Sequence, residues 1–350
     1  MNDSSARRAP LRFGILGCAA IARQFVRDVA ASPALRVVAV ASREAAKAAA
    51  FAAEFGIGRH HGSYEALLAD GELDAVYIPL PNSLHAEWAF RSADAGRHVL
   101  CEKPLALTRA EAQAMFDAAR RRRVMLLESF PYYFQPQTGD MLALIRGGAI
   151  GAVRSAQAAF GFTLAKPHGN IRSDPALGGG ALFDAGCYPL SLIRLAFGEA
   201  PQSVTAHANW TASGVDISLA ATLHYRDGRR AQLSCAMDSA LHRHALIVGS
   251  TGVIETEYLN HTSDRVTGHP WGYLPGLLRW RRHATPPMPF ETLRSGVGSG
   301  FRFAAEAFAK LVAEHDFDAV ERAAAASLDN AATLEALLAS ARAGGRAVAV

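Results

Sequence analysis

Cysteine is scarce in this 350-residue chain: Cys18, Cys101, Cys187 and Cys235 are the whole set. Their spacing matches no zinc or redox motif, and they are few for a disulfide scaffold, so reduced thiols and a cytoplasmic setting are expected. Neither sign of charge dominates, because 36 basic and 32 acidic residues leave a formal net charge of +4. No nucleic-acid surface is expected from that balance. The basic run Arg120 to Arg123 falls where a helix should end, and cations there favour the negative end of the helix dipole. Apolar runs of the roughly 20 residues that a membrane helix needs are missing, so no membrane partner is expected. His60-His61 and the pair His242 and His244 lack a third ligand at metal-binding spacing, so no metal is expected. No internal repeat is present.

What is abundant is apolar residue, 50% of the chain, enough to bury a sizeable core over about two domains. From Leu11 to about Leu127 the runs RFGIL, RVVAVAS, AVYIPL, HVLCE and VMLLE alternate with helix-length segments. Strands alternating with helices predict an α/β unit with a parallel sheet covered on both faces. Thr108 and Glu111 are spaced to open one of those helices as a capping box. After about residue 130 the texture changes. A helix at PQTGDMLALIRGGAIG and a strand around AVRSAQAAFGFTL precede a glycine-rich approach to a helix, GGGALFDAGCYPLSLIRLAFG. Alternating strands follow at SVTAHANW, DISLAATLHY, RRAQLSCAM, HALIVGS and GVIETEY, predicting an α+β domain with a large, mostly antiparallel open sheet. A long loop, about 259 to 295, then leads to terminal helices, and the expected division is 1–130 and 131–350.

Residues 11–23, LRFGILGCAAIAR, admit two readings. With Arg7 and Arg8 upstream they look like the start of an export leader, or like a strand entering a nucleotide-binding turn. A leader would be cut after the small residues, removing the strand on which every later motif depends, so the segment is expected to stay. From Gly17 the letters fit G-x-G-x-x-A, with Ala19 in the second glycine's place and Ala22 at the end. The first glycine permits the tight turn, the second lets backbone approach a pyrophosphate, and the last small residue lets helix pack on strand. An ordinary turn could look the same. The surrounding order of strand, turn, helix and strand favours phosphate held by free N–H groups near Ala20.

The next strand ends in Ser42-Arg43, close to where an NAD site carries a carboxylate for the ribose. A hydroxyl and a guanidinium there would instead suit a 2′-phosphate, although Ser42 could simply cap the following helix. Asn82 and His85 follow the turn after AVYIPL, where Asn82 could equally be a helix cap. In CEKPL, Glu102-Lys103 comes directly after an apolar strand. A lysine at a dry cleft mouth is expected to have its pKa lowered toward the acid/base range, unless the turn is solvated. Asp184 and Tyr188 stand four apart, so a helix would project carboxylate and phenol from one face.

GILGCAAIAR, PNSLHAEW, EKPL and GGGALFDAGCYPL, in this order, resemble the Gfo/Idh/MocA oxidoreductases over nearly the whole chain. Within that family the similarity is to NADP-dependent D-xylose or glucose 1-dehydrogenases and dihydrodiol dehydrogenases. The resemblance implies an N-terminal Rossmann domain, a second domain whose open sheet forms a homodimer or homotetramer, and hydride transfer between a nicotinamide and a sugar or cyclic-polyol carbinol. It implies NADP rather than NAD. By position it implies cofactor contacts from Gly17, Ala19, Ala20, Ile21, Ser42, Arg43, Pro79, Asn82, His85, Glu102 and Lys103. Substrate contacts would come from Lys103, Tyr133, Phe134, Arg172, Asp184 and Tyr188. Lys103, Asp184 and Tyr188 would be catalytic. Tyr188 would accept the proton, its pKa lowered by the Lys103 ammonium, with Lys103 the competing candidate. Where many relatives have Arg-Phe-His-Pro, this chain has Tyr132, Tyr133, Phe134 and Gln135, which changes the pocket wall. Reduction of a keto- or anhydro-sugar would use the same residues. A non-catalytic NADP-binding regulator would need the turn but not Lys103, Asp184 and Tyr188.

Overall fold

The computed structural model describes residues 9–265, 273–282 and 288–350. Its first sheet contains β1 (Leu11–Leu16), β2 (Leu35–Ala41), β3 (Arg59–His61), β4 (Ala75–Ile78), β5 (His98–Glu102) and β6 (Leu126–Ser129). All neighbours are parallel, in the order β3-β2-β1-β4-β5-β6. Helices α1 (Ala20–Val29), α2 (Ala45–Phe55), α3 (Tyr64–Leu68), α4 (His85–Asp94) and α5 (Arg109–Arg122) connect them. Covered on both faces, β4 to β6 are buried almost throughout, which explains their unbroken apolar runs. The order reverses between β1 and β4, and a crevice therefore opens beyond their carboxyl ends.

β3 was not legible as a strand because Arg59, His60 and His61 carry no apolar pattern. It is an edge strand, whose Arg59 and His61 side chains are both held by Asp70, at 2.8 and 3.1 Å. At the start of α5 the capping box forms by half. Thr108 Oγ1 accepts from the Glu111 amide at 3.1 Å, but the Glu111 carboxylate takes the amide of Leu107, not that of Thr108.

The second sheet is built after α6 (Pro136–Arg146) from β7 (Val153–Thr163) and, beyond α7 (Cys187–Phe197), β8 (Ser203–Trp210), β9 (Asp216–His224), β10 (Arg230–Ala236), β11 (Asp238–Gly249) and β12 (Gly252–Thr256). Among the described residues of this sheet, only β7 and β10 pair in parallel. In β10 the burial alternates: Ala231, Leu233 and Cys235 face the core while Arg230, Gln232 and Ser234 face out. One face of this sheet is therefore open.

The segment expected to be a loop from about 259 to 295 carries structure. It contains β13 (His261–Thr262), β14 (Leu278–Arg282) and β15 (Glu291–Thr292), and β14 extends the second sheet beside β12. The letters LRWRR hide this strand because its arginines are placed by side-chain partners, Arg279 on Glu255 and both Arg279 and Arg281 over Phe290. The rest of that loop, 266–272 and 283–287, lies outside the described residues.

After β16 (Gly298–Ser299), α8 (Gly300–Glu314) and α9 (Phe317–Arg342) precede the last short strand, β17 (Val348–Ala349). α8 returns to the first sheet. Phe301, Ala305, Phe308 and Val312 join Phe13, Phe25 and Tyr77 in one core, with the Phe13 and Phe308 rings 6.0 Å apart. α9 spans both halves, pairing Glu321 with Arg120 of α5 and Asp329 with Arg194 of α7. One expectation about apolar runs is corrected: Pro175–Phe197 is long and apolar enough to cross a membrane, its most apolar 18 residues having mean hydropathy 1.2, yet 78% of those 18 are buried inside the protein.

Because Phe308 is fully buried in the core of the first sheet, Phe308→Ala is expected to lower the unfolding free energy by about 3–5 kcal/mol. Urea denaturation measures it, and a loss below about 1 kcal/mol would mean that α8 is not part of the first core.

Candidate active site

β1 delivers the chain to Gly17, whose φ of +109° is open to glycine and strained for other residues. Its amide donates to Ala41 O at 2.8 Å, and a Cβ there would lie 3.1 Å from Leu80 and 3.6 Å from the Tyr64 hydroxyl. α1 then starts at Ala20 with no side-chain cap and no acid in its first turn. Ala19 and Ala20 are exposed while Ala22 is buried against the sheet. The first amides of α1 therefore open outward at the positive end of the helix, an arrangement suited to an anion. Ala19 sits in extended backbone, φ −65° and ψ 163°, where alanine needs no strain to replace glycine.

At the end of β2, Ser42 is buried and its hydroxyl accepts from the Glu44 amide at 3.2 Å. Arg43 is exposed and reaches the hydroxyl of Tyr64. Tyr64 thus stands between the glycine turn and the arginine. The sequence reading missed it, since SYEALL signals only a helix start, with Ser63 as the cap.

β4 and β5 bring the next group. Pro79 is buried in the turn after β4, and Asn82 donates its side-chain amide to Gly178 O at 2.8 Å, across to the second half. His85 has no exposed surface, and its two ring nitrogens face Pro104 O and Leu80 O, each at 2.9 Å. It braces the two turns and does not reach the open crevice. Glu102 is buried, accepting from the Tyr77 hydroxyl at 2.6 Å and the Lys103 amide at 3.3 Å. Behind it, Glu128 accepts from the Leu105 amide at 2.8 Å. Burial pushes both carboxyls up to about 7.

Lys103, followed by a cis peptide to Pro104, points at the second half. Its ammonium donates to Asp184 O at 2.8 Å and lies 3.4 Å from Asp184 Oδ1. Asp184 Oδ2 also accepts from Arg172 Nε at 2.6 Å. The expected lowering of the Lys103 pKa is overturned: burial lowers it, but the Asp184 carboxylate and its neighbours raise it further, so the net direction is up. Asp184 is held below the ordinary carboxylate range, since the two cations outweigh its burial. Its helix opens not as an α turn but as a wider π turn, Leu182–Gly186, a form that recurs at functional sites. Asp216 anchors that turn by accepting the Leu182 amide at 2.7 Å, and it lies so close to Gly180 that a Cβ there would collide with its carboxylate.

Tyr188 is 5% exposed, ringed edge-on by Phe130 and Phe160, with the Lys103 ammonium 4.9 Å from its ring centroid. The expected lowering of its pKa is also corrected, because burial raises it by more than Lys103 and Arg243 lower it. Its hydroxyl accepts from Asn260 Nδ2 at 3.1 Å, and the Arg243 guanidinium lies 4.0 Å from its ring centroid. Neither Asn260 nor Arg243 carried a sequence signal: both come from strand and loop positions more than 50 residues away.

Lys103, Arg172, Asp184 and Tyr188 are thus brought together. Tyr133 and Phe134 are not. The Tyr133 hydroxyl turns to Ser191 O, at 3.3 Å, and Phe134 packs into the core of the first sheet. Among the described residues no three histidine, cysteine or acidic side chains converge as a metal site.

A dinucleotide turn on a reversed parallel sheet, facing a lysine, a carboxylate and a phenol, defines an NAD(P)-binding oxidoreductase. Residues 11–130 match the oxidoreductase family with NAD-binding Rossmann fold, and residues 140–255 match the GFO/IDH/MocA C-terminal domain. The chain belongs to the Gfo/Idh/MocA family. It is 34% identical over 301 residues to trans-1,2-dihydrobenzene-1,2-diol dehydrogenase of Xenopus tropicalis, covering 84% of this chain and 87% of that one. It is 40% identical over 245 residues to D-xylose 1-dehydrogenase (NADP(+)) 2 of Haloferax volcanii, covering 70% and 75%. Among solved structures it is similar to a 3-ketoreductase from Actinomadura kijaniata in complex with NADP and TDP-benzene, at TM-score 0.82 and 32% identity, covering 95% and 98%.

The raised carboxyls give a pH signature. A folded-state pKa above the unfolded one stabilises fully below the unfolded value and is lost as pH rises through the folded value. For Glu128 that window runs from the ordinary 4.5 to about 7. The wild type should lose stability across it relative to Glu128→Gln, measured by unfolding at each pH; parallel curves would show an unshifted Glu128.

Proposed function

We propose that this protein transfers hydride between NADP and a carbinol of a sugar or cyclic polyol, residues 1–130 holding the dinucleotide and 131–350 the substrate. The observation that carries the reading is the convergence of Lys103, Asp184, Arg172 and Tyr188 in front of the nucleotide turn. When bound, the nicotinamide supplies or accepts the hydride. The residues present fit it. Gly17, Ala19, Ala20 and Ile21 leave the N-terminus of α1 open for the pyrophosphate, with Pro79 and Asn82 beside the crevice and the buried His85 and Glu102 bracing its turns from behind.

The preference for NADP rests on the end of β2. Ser42 and Arg43 stand where a carboxylate would repel a 2′-phosphate, and the neighbouring Glu44 is engaged by Lys47 at 2.5 Å. Lys103, locked by Asp184, orients the reacting oxygen with its remaining hydrogens. Tyr188 passes the proton, and Arg172 and Asp184 hold neighbouring hydroxyls. Tyr133 and Phe134 act from behind the cleft, Tyr133 by stacking 5.0 Å from Phe130, which in turn meets Tyr188.

Reduction of a keto-sugar is a second reading with its own support. With both pKa values raised, Lys103 and Tyr188 rest protonated, the state that donates a proton to a forming alkoxide. A 3-ketoreductase is also among the similar structures. The free thiols of the four cysteines suit a cytoplasmic setting. The open face of the second sheet, a trough of about 480 Å³ floored by Gln157, Thr205, His207 and Gln232, is the surface for a homodimer or homotetramer.

Arg43→Ala is expected to weaken NADPH binding about 10- to 100-fold while leaving NADH nearly unchanged, read by fluorescence titration. Equal losses would remove the 2′-phosphate assignment. Tyr188→Phe should lower kcat about 100-fold or more without changing cofactor affinity, and near-normal turnover would move the proton to Lys103. Screening aldoses, polyols, dihydrodiols and keto-sugars with both cofactors at the nicotinamide absorbance tests substrate class and direction.

A further inference from the structure

The Tyr188 hydroxyl is held from a side that the proposed reaction does not account for. Asn260 donates Nδ2 to its oxygen at 3.1 Å, and the same amide accepts from Arg243 Nη2 at 3.4 Å through Oδ1. Those two partners fix which end of the amide faces the phenol. Asn260 itself is clamped: its backbone carbonyl accepts from Gln135 Nε2 and from the Gly300 amide, both at 2.7 Å. The next residue, His261, is paired to Asp28 of α1 at 2.8 Å, with both side chains 6% exposed. Arg243, on β11, has its guanidinium 4.4 Å from the Phe160 ring centroid and 5.2 Å from that of Tyr258, and its buried Nε makes no hydrogen bond. A cation placed among ring faces, 4.0 Å from the Tyr188 ring centroid, carries a desolvation cost that no ion pair offsets among the described residues.

We propose that Asn260 and Arg243 are positioning residues for Tyr188, aiming its hydroxyl and stabilising its anionic form during proton transfer. The proposal rests on the reading of Tyr188 as the proton-transfer group. An N–H donated to a phenol oxygen stabilises phenolate more than phenol, and a cation against the ring adds to it. Because Asn260 occupies a lone pair, the phenolic hydrogen is left for another partner.

Among the described residues, the other titratable groups facing Tyr188 are Lys103 and Glu102 at the end of β5, Tyr77 of β4, Tyr132, whose ring centroid lies 5.9 Å away, Arg172 and, on its own helix, Cys187. Glu102 and Cys187 oppose the anion; Lys103 favours it but is committed to Asp184. Asn260 and Arg243 are the contributors that can be removed with the Lys103 and Asp184 pair left in place.

The test compares the pH profile of kcat and the near-ultraviolet tyrosinate titration in the full chain, in Asn260→Ala, Arg243→Met and Arg243→Lys, each against its Tyr188→Phe counterpart. Subtraction isolates the Tyr188 signal. Asn260→Ala and Arg243→Met should each move the Tyr188 midpoint and the matching limb of the profile up by about one pH unit. Arg243→Lys should restore most of the shift. Activity lost with both midpoints unmoved would mean a merely structural role and overturn the proposal. Should Arg243→Met fail to fold, Asn260→Ala alone decides, since it removes only an amide. Wild-type turnover in Tyr188→Phe would instead overturn the reading of Tyr188, and the proposal with it; an inactive Tyr188→Phe with unmoved midpoints overturns the proposal alone.

Discussion

The ammonium of Lys103 crosses from the carboxyl end of one sheet to the first turn of the helix lying on the other, and that crossing ties the two walls of the cleft together. It meets Asp184 twice, at the backbone carbonyl and at the carboxylate. A buried ion pair survives its desolvation only when the geometry is good and the remaining lone pairs are used. Arg172 takes the second carboxylate oxygen, and Asp216 with Gly180 fixes where the turn begins. Lysine, aspartate and tyrosine are thereby set by contacts outside the cleft as much as by those inside it.

Charge in this cleft is arranged around fixed protonation states. Asp184 stays ionised because two cations face it, and Lys103 stays charged because Asp184 does. Deeper in, burial outweighs the nearby Lys103 charge and the hydrogen bonds that Glu102 and Glu128 accept, so their carboxyls rise. The same strand end thus presents an ionised pair to the cleft and two reluctant acids behind it.

Much of this was readable in the letters, and the failures have physical causes. Parallel strands buried on both faces leave unbroken apolar runs, so five of the first six were visible; β3 was not, because an edge strand of Arg59, His60 and His61 has no burial to pattern it. β14 was hidden because its arginines are placed by Glu255 and Phe290, partners that local sequence cannot name. Motif spacing brought out Lys103, Asp184 and Tyr188, since a turn and a helix fix their neighbours locally. Tyr64, Arg243 and Asn260 reach the cleft through tertiary contacts alone. The direction of the Lys103 shift was not legible because a dry strand end alone lowers an ammonium's pKa, and only the tertiary structure shows how close the Asp184 carboxylate, 81 residues downstream, comes to it.

The return of α8 to the first sheet has a bearing on how the molecule is made. Phe301, Ala305 and Phe308 complete a core begun by Phe13 and Phe25. A chain growing from its N-terminus therefore finishes all six parallel strands long before it owns the helix that covers one of their faces. Until more than 300 residues have been synthesised, the part of that face left uncovered by α1 and α2 stays apolar and open, exposed to premature association. The nucleotide-binding half is thus written well before the helix that closes it.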